Sequence, residues 1–457
     1  MKKKKKKQKV QRRKWPSAKT LVLAAELGAI AVVIVIGVVS YNWISGPPPE
    51  KTIPRTASFE KKVDGLTDYL GGLPESENAE LKRLFEKAHA SYQAQRYAEA
   101  IDTLQACLDL KATDSERLAL SIMLGNAYSY LGGPNLGEDL YREALIIGTG
   151  IDDKLGSAVA LGNLGAIRMT LGDLDKGLDH LEDALELYRQ TDFRKGEAIA
   201  LGNLANVYYF RGDLTQALDY FEKALKIHRE TGFEEGEASA LGNISNIYYV
   251  KGELDQALEQ FKDALKSYKK IRFRPGEAKS LVAIGAILVK KGNPDEALSY
   301  FEDAIEIQER EGLKKEQSMA LHNVGLIHRS KGDLDQALES HQEALNIARE
   351  IGYREGEANG LTHIGLIHKA NGDMDEALRY LNEALKIHQE MGSEKGQANT
   401  LANIGLIYWA KGDLDLALKR LKESLVIFEE MGMPEQAGKT KENIELISEL
   451  KAELGEK

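Results

Sequence analysis

An all-α solenoid of helical hairpins, preceded by one transmembrane helix, is the fold class this sequence predicts. Three observations carry that reading. Small residues recur every 40 positions, as Gly125, Gly165, Ala205, Ser245, Gly285, Gly325, Gly365 and Gly405. Two more small slots keep the same register: Gly137, Gly177, Ala217, Ala257, Ala297, Ala337, Ala377 and Ala417, and then Ala144, Ala184, Ala224, Ala264, Ala304, Ala344, Ala384 and Ser424. A stretch from Thr20 to Ile44 carries one charge, Glu26. Self-similarity at such a period marks an architecture in which each unit buries its apolar face against its neighbours.

Residues 1–19 form a basic tail, expected to be cytoplasmic. Residues 20–44 would make a helix of roughly 37 Å, enough to cross a hydrocarbon layer of about 30 Å. Trp15 before the span, and Tyr41 and Trp43 at its far end, stand where interfacial aromatics belong. The basic run precedes the span, so the positive-inside rule keeps the N-terminus in the cytoplasm and exports the repeats as a signal-anchored, single-pass protein. The rival is a cleaved signal peptide, against which the length of the apolar run and the lack of an A-x-A site both argue. Glu26 lies near the cytoplasmic end, where it can snorkel toward the headgroups.

Residues 45–80 read as a Pro-rich linker, opened by Pro47, Pro48 and Pro49, and a short amphipathic helix bearing Phe59, Val63, Leu66 and Leu70. About nine repeats are expected over 81–433 and a capping helix over 434–457. In the repeat at Leu201–Gly232, Leu201, Leu204, Ala205 and Tyr208 share one helical face. Gly212 closes that helix as a left-handed cap, and Asp213 caps the next helix from its N-terminus. The second helix turns Leu214, Ala217, Leu218, Phe221, Ala224, Leu225 and Ile227 inward. In the last segment Glu445 replaces the small residue of the register and Lys441 replaces a leucine, as suits a solvent-facing cap.

The small and aromatic pattern Leu204, Ala205, Tyr208, Ala217, Phe221 and Ala224 resembles the tetratricopeptide repeat (TPR) family. Its usual proline after the second helix is missing from most copies here. The longer unit is similar to the kinesin light chains and the Leu-Gly-Asn adaptors, and Leu-Gly-Asn itself stands at 124–126, 161–163, 201–203 and 241–243. The first copy is the most diverged, with Ala88, Tyr97, Ala100, Leu104 and Cys107 as its landmarks. The resemblance implies a right-handed TPR superhelix whose first helices line a concave, peptide-binding face.

On that face the sequence places amides at Asn126, Asn163, Asn203, Asn206, Asn243, Asn246, Asn323 and Asn403, able to donate to and accept from a peptide backbone. Asparagine-to-asparagine bonding within the repeats is the alternative. Tyr209, Tyr249 and Trp409 are candidate aromatic anchors. Lys279, Lys290, Arg329 and Lys369 form a basic strip suited to an acidic ligand or a C-terminal carboxylate. Glycines 162, 202 and 242 occupy a slot that carboxylate-clamp TPR domains use, so that activity is not carried over.

The formal net charge is −10, but residues 1–45 carry eleven basic side chains and one acid, which leaves −20 for the rest. So acidic a body disfavours nucleic acid. Cys107, the lone cysteine, excludes an intramolecular disulfide and occupies a packing slot. His328 and His368 stand where Tyr208 and Tyr248 stand in other copies, which reads as packing. His322 and His363 are expected to approach each other across adjacent repeats. No H-E-x-x-H set, phosphate loop or nucleophile–base pair is present, so neither metal nor cofactor is expected. The Asn243-Ile244-Ser245 sequon falls inside a helix. The expected function is a membrane-anchored, non-catalytic scaffold that binds proteins or peptides. Alternatives are a cytoplasm-facing adaptor or assembly chaperone and, from another class, a ligand-sensing or catalytic protein.

Overall fold

The structure, a computed structural model, describes residues 78–94, 96–453 and 455. The span expected at 20–44, its basic tail, and the linker and helix before residue 78 lie outside the described residues. No described helix is long and apolar enough to cross a membrane.

Nineteen helices and no strands make up the described residues. They run as α1 (Ala79–Gln93), α2 (Tyr97–Asp109), α3 (Asp114–Tyr130), α4 (Pro134–Gly150), α5 (Lys154–Thr170), α6 (Leu174–Gln190), α7 (Arg194–Phe210), α8 (Leu214–Thr231) and α9 (Glu234–Val250). There follow α10 (Leu254–Lys270), α11 (Arg274–Lys290), α12 (Pro294–Arg310), α13 (Lys314–Lys331), α14 (Leu334–Glu350), α15 (Arg354–Asn371), α16 (Met374–Glu390), α17 (Glu394–Ala410), α18 (Leu414–Glu430) and α19 (Pro434–Glu453). They divide into two compact units, one through Ile247 and one from Tyr248 onward.

In the first unit α1 packs on α2, α3 on α4, α5 on α6 and α7 on α8, and each hairpin also packs on the next. Its core joins Leu81, Ile101, Leu104, Ile122, Tyr141, Leu164, Leu181 and Leu204. The hairpin α7–α8 shows how the residues dictate the turn. Gly212 takes φ +80°, and Asp213 Oδ1 accepts a bond from Gln216 N at 3.0 Å. Cys107 is buried in this core, and burial pushes its thiol up to about 11, an inert packing residue. Gly148-Thr149-Gly150 forms the last turn of α4.

In the second unit α11 packs on α12, α13 on α14, α15 on α16 and α17 on α18, with α19 closing on α18. Ile284 and Phe301, then Leu361 and Ile364, then Leu401 and Ile404 form successive core clusters. The repeating small slot has one cause in both units. A Cβ on Gly165 would lie 2.5 Å from Leu181 Cγ, and one on Gly325 would lie 2.8 Å from His341 Cε1. The small residue makes room for the large residue 16 positions on, in the second helix.

The turns between hairpins use a second left-handed slot. Gly232, Gly312, Gly352, Gly392 and Gly432 fill it, but Asp152, Asp192 and Arg272 adopt the same positive φ. Ion pairs stitch hairpin to hairpin on the outside: Lys331 Nζ meets Asp295 Oδ1 at 2.7 Å, and Lys291, Lys411 and Lys451 repeat the contact on Asp255, Asp375 and Asp415.

Candidate functional site

First helices of successive hairpins touch one another in both units: α3 with α5, α5 with α7, α13 with α15, and α15 with α17. Second helices show no comparable pairing among the described residues. The first-helix side is therefore the crowded side of each unit, and the predicted site residues are carried on it.

The amides do not behave alike. Asn126 on α3 is 0% exposed; its Oδ1 accepts from Tyr141 Oη at 2.5 Å and from Asn163 Nδ2 at 3.1 Å. Asn126 and Asn163 therefore tie two hairpins together through a buried polar network. Asn203 and Asn206 on α7 are also buried, yet Asn203 Oδ1 and Asn206 Nδ2 have no hydrogen-bond partner. A buried amide left open in this way carries a desolvation cost, and a peptide backbone could satisfy it. Asn243 and Asn246 on α9 are half-buried, with Asn246 Oδ1 unpartnered. Asn323 on α13 is buried and Asn403 on α17 half-buried.

Of the anchors, Tyr209 is half-buried and packs edge-on to Phe210, and burial raises its phenol pKa. Trp409 is half-buried against the cluster of Leu414, Leu421 and Ile447. Tyr249 is buried, and Lys290 Nζ lies 4.1 Å from its ring centroid, a cation–π contact.

Lys279, Lys290, Arg329 and Lys369 lie on α11, α13 and α15. None forms a salt bridge among the described residues, whereas Lys291, Lys331 and Lys411 close by are paired to aspartates. Burial holds the cation of each of the four below its ordinary pKa; at Lys279, Glu316 pulls the other way. Lys279 and Lys290 are exposed and Arg329 and Lys369 half-buried. Arg329 and Lys369 are thus partly recessed positive charges without a salt bridge among the described residues, and an anion would relieve them.

Arg329 leads to a group that the sequence only half revealed. Its Nη1 lies 3.2 Å from His363 Nδ1, and a guanidinium can only donate, so that nitrogen accepts and the ring proton sits on Nε2. His322, His341 and His363 gather beside it, with ring centroids 4.5, 4.9 and 5.0 Å apart. His322 and His363 meet as the register implies. His341, absent from the sequence-based site, completes the group from α14 at 0% exposure, with neither ring nitrogen partnered. The signal was present: His341 occupies the slot of Phe221, Phe261 and Phe301. Burial first, then the charge of Arg329, depresses the His322 pKa to about 4. Burial, His322 and Arg329 bring His341 to about 2, and His363 is held well below 6.5.

The cluster is not arranged as a chelate. The His341 and His363 rings are stacked with planes 15° apart, so their in-plane lone pairs do not converge. Among the described residues no group of three or more His, Cys, Asp or Glu could hold a metal ion. His368 plays the packing part expected of it, stacking on Tyr380 at 5.3 Å as Tyr208 stacks on Tyr220.

Comparison with known families and structures follows this geometry. A tetratricopeptide repeat family model matches residues 156–230, 236–310, 316–390 and 356–430, and a model described as anaphase-promoting complex subunit 5 matches residues 85–192. No curated protein sequence matches the chain. The apo quorum sensor NprR from B. thuringiensis is similar at 14% identity and TM-score 0.56, over 76% of this chain and 99% of that one. The STAND signal transduction ATPase with a tetratricopeptide repeat sensor, from Pyrococcus horikoshii, is similar at 16% identity and TM-score 0.55, over 75% of this chain. The present chain spans 54% of that ATPase. A kinesin light chain with TPR-like repeats from Podospora anserina aligns at 18% identity and TM-score 0.36, over 42% of this chain and 96% of its own.

Proposed function

We propose a function from a plain premise: the chain belongs to the tetratricopeptide repeat family. It is a non-catalytic scaffold that binds an extended protein segment along its first-helix face, and in the second unit it favours acidic segments. The observation that carries this reading is the set Lys279, Lys290, Arg329 and Lys369, four cations held on first helices without a salt bridge among the described residues. The buried, open amides of Asn203 and Asn206 supply the backbone-directed contacts of the same mode in the first unit.

The apolar run at 20–44 with its basic flank supports tethering to a membrane, N-terminus in the cytoplasm and repeats outside. Alkaline extraction of membranes tests the tether, and release of the chain into the soluble fraction would remove it. Protease accessibility in intact cells tests the topology: a protected C-terminal tag would make the protein a cytoplasm-facing adaptor. The binding reading is tested by panning a random peptide library on the full chain and on a variant with all four cations reversed to glutamate. Selection of Asp- and Glu-rich peptides by the natural chain alone is the expected result. Identical selections by both proteins would overturn the acidic preference.

A further inference from the structure

We propose that Arg329, with His322, His341 and His363, forms a carboxylate pocket. An acidic side chain of the bound peptide replaces His363 as the partner of Arg329, and the imidazoles take up a proton as it docks. This deepens the acidic-ligand reading and rests on it.

Three departures from the repeat build the pocket. His363 stands in the slot of Asn323 and Asn403, His341 in that of Phe301, and His322 in that of Val282. Each alternative packs in the same hairpin geometry, so the fold does not require the imidazoles. Their presence costs solvation, because His341 is fully buried with both nitrogens unpartnered. Arg329 meets a neutral ring at 3.2 Å, where a carboxylate would give a charge-assisted, two-pronged bond. The charge acting on His341 and His363 comes from Arg329 and from the neighbouring rings, and no carboxylate among the described residues acts on these two. The missing group is an anion.

The direction of the coupling follows. The empty rings are uncharged at neutral pH, since burial and Arg329 hold each below the ordinary value of 6.5. A carboxylate in contact stabilises the imidazolium, so the bound pocket holds its proton at higher pH than the empty one. Affinity therefore rises as pH falls from about 7, until the glutamates of the ligand protonate near about 4.3.

Isothermal titration calorimetry of the full chain with a hexaglutamate peptide, and with hexaglutamine as control, tests this at pH 7.5 and 5.5 in two buffers of different protonation enthalpy. Binding of hexaglutamate about tenfold tighter at pH 5.5, with buffer-dependent heat reporting net proton uptake, is expected for a single linked ring. The variant His322→Val, His341→Phe and His363→Asn should lose both effects, its affinity for hexaglutamate no longer rising at pH 5.5 and its binding heat no longer depending on the buffer. Should that variant fail to fold by circular dichroism, His363→Asn alone is predicted to weaken both effects. Hexaglutamate binding with equal affinity at both pH values and no proton uptake would overturn the pocket while leaving the basic strip intact. No binding at either pH would overturn both. A pH effect that survives the histidine variants would assign the proton elsewhere and also overturn the pocket.

Discussion

Arg168 in the first unit and Arg329 in the second are both recessed guanidiniums near the ends of first helices, and they meet opposite surroundings. Arg168 is closed by Glu138 and, at 3.6 Å, by Asp173. Arg329 instead hydrogen-bonds the neutral ring of His363 and forms no salt bridge among the described residues. The slots around them differ too. In the first unit the buried second-helix hydroxyl of Tyr141 donates to Asn126 Oδ1, which also accepts from Asn163, while Asn126 Nδ2 stays unpartnered. In the second unit His341 presents two unpartnered nitrogens. One hairpin scaffold thus carries an arginine closed by carboxylates in one unit and an arginine set against an imidazole in the other. The second is where a ligand has a charge to supply.

The largest effect tests whether the scaffolds are equivalent. Leu164→Ala in the first unit and Ile364→Ala in the second each remove a buried side chain and should each cost about 2–5 kcal/mol in denaturant unfolding. A large cost in only one would break the comparison at its base.

The next concerns pH. The three rings have folded-state values below 6.5, so the unfolded chain binds more protons once pH drops below 6.5. Stability is then lost as pH falls from about 6.5 toward 4, by up to roughly 1.4 kcal/mol per pH unit for each ring. The His322→Val, His341→Phe, His363→Asn variant should flatten that slope in thermal melts taken between pH 7 and 4.5. Tyr141→Phe, which removes one of the two bonds accepted by Asn126 Oδ1 in the first unit, should cost about 1 kcal/mol with no new pH dependence. Smallest is a gain: Arg272→Gly, at φ +56°, should stabilise by about 1 kcal/mol. Asp192→Gly should gain less, because aspartate tolerates that conformation.

The fold was legible because the 40-residue register records packing directly. The glycine at 212 and the aspartate at 213 carry turn and cap in their own chemistry, and the small slots mark where a second-helix side chain needs room. The site was legible in part. Lys279, Lys290, Arg329 and Lys369 stood out as basic residues in an acidic body, and the meeting of His322 and His363 followed from adjacent slots. His341 escaped because its neighbours lie on other helices, 19 positions before and 22 after, and a histidine in an aromatic slot reads as ordinary packing. The difference between Asn126 and Asn203 was not legible. Both are asparagines on first helices, and the bond that Asn126 accepts comes from Tyr141, in a slot that later holds Phe221 and Phe261. The Lys331–Asp295 ladder likewise joins residues 36 apart that share no local motif.

The central claim is that unpaired cations on the first helices of the second unit hold an acidic segment. Fluorescence anisotropy of a labelled hexaglutamate peptide, titrated with the full chain and with the Lys279→Glu, Lys290→Glu, Arg329→Glu, Lys369→Glu variant at low salt, tests it most directly. The account predicts saturable binding that weakens with added salt and falls at least tenfold in the variant. Equal affinity for the two proteins would contradict it.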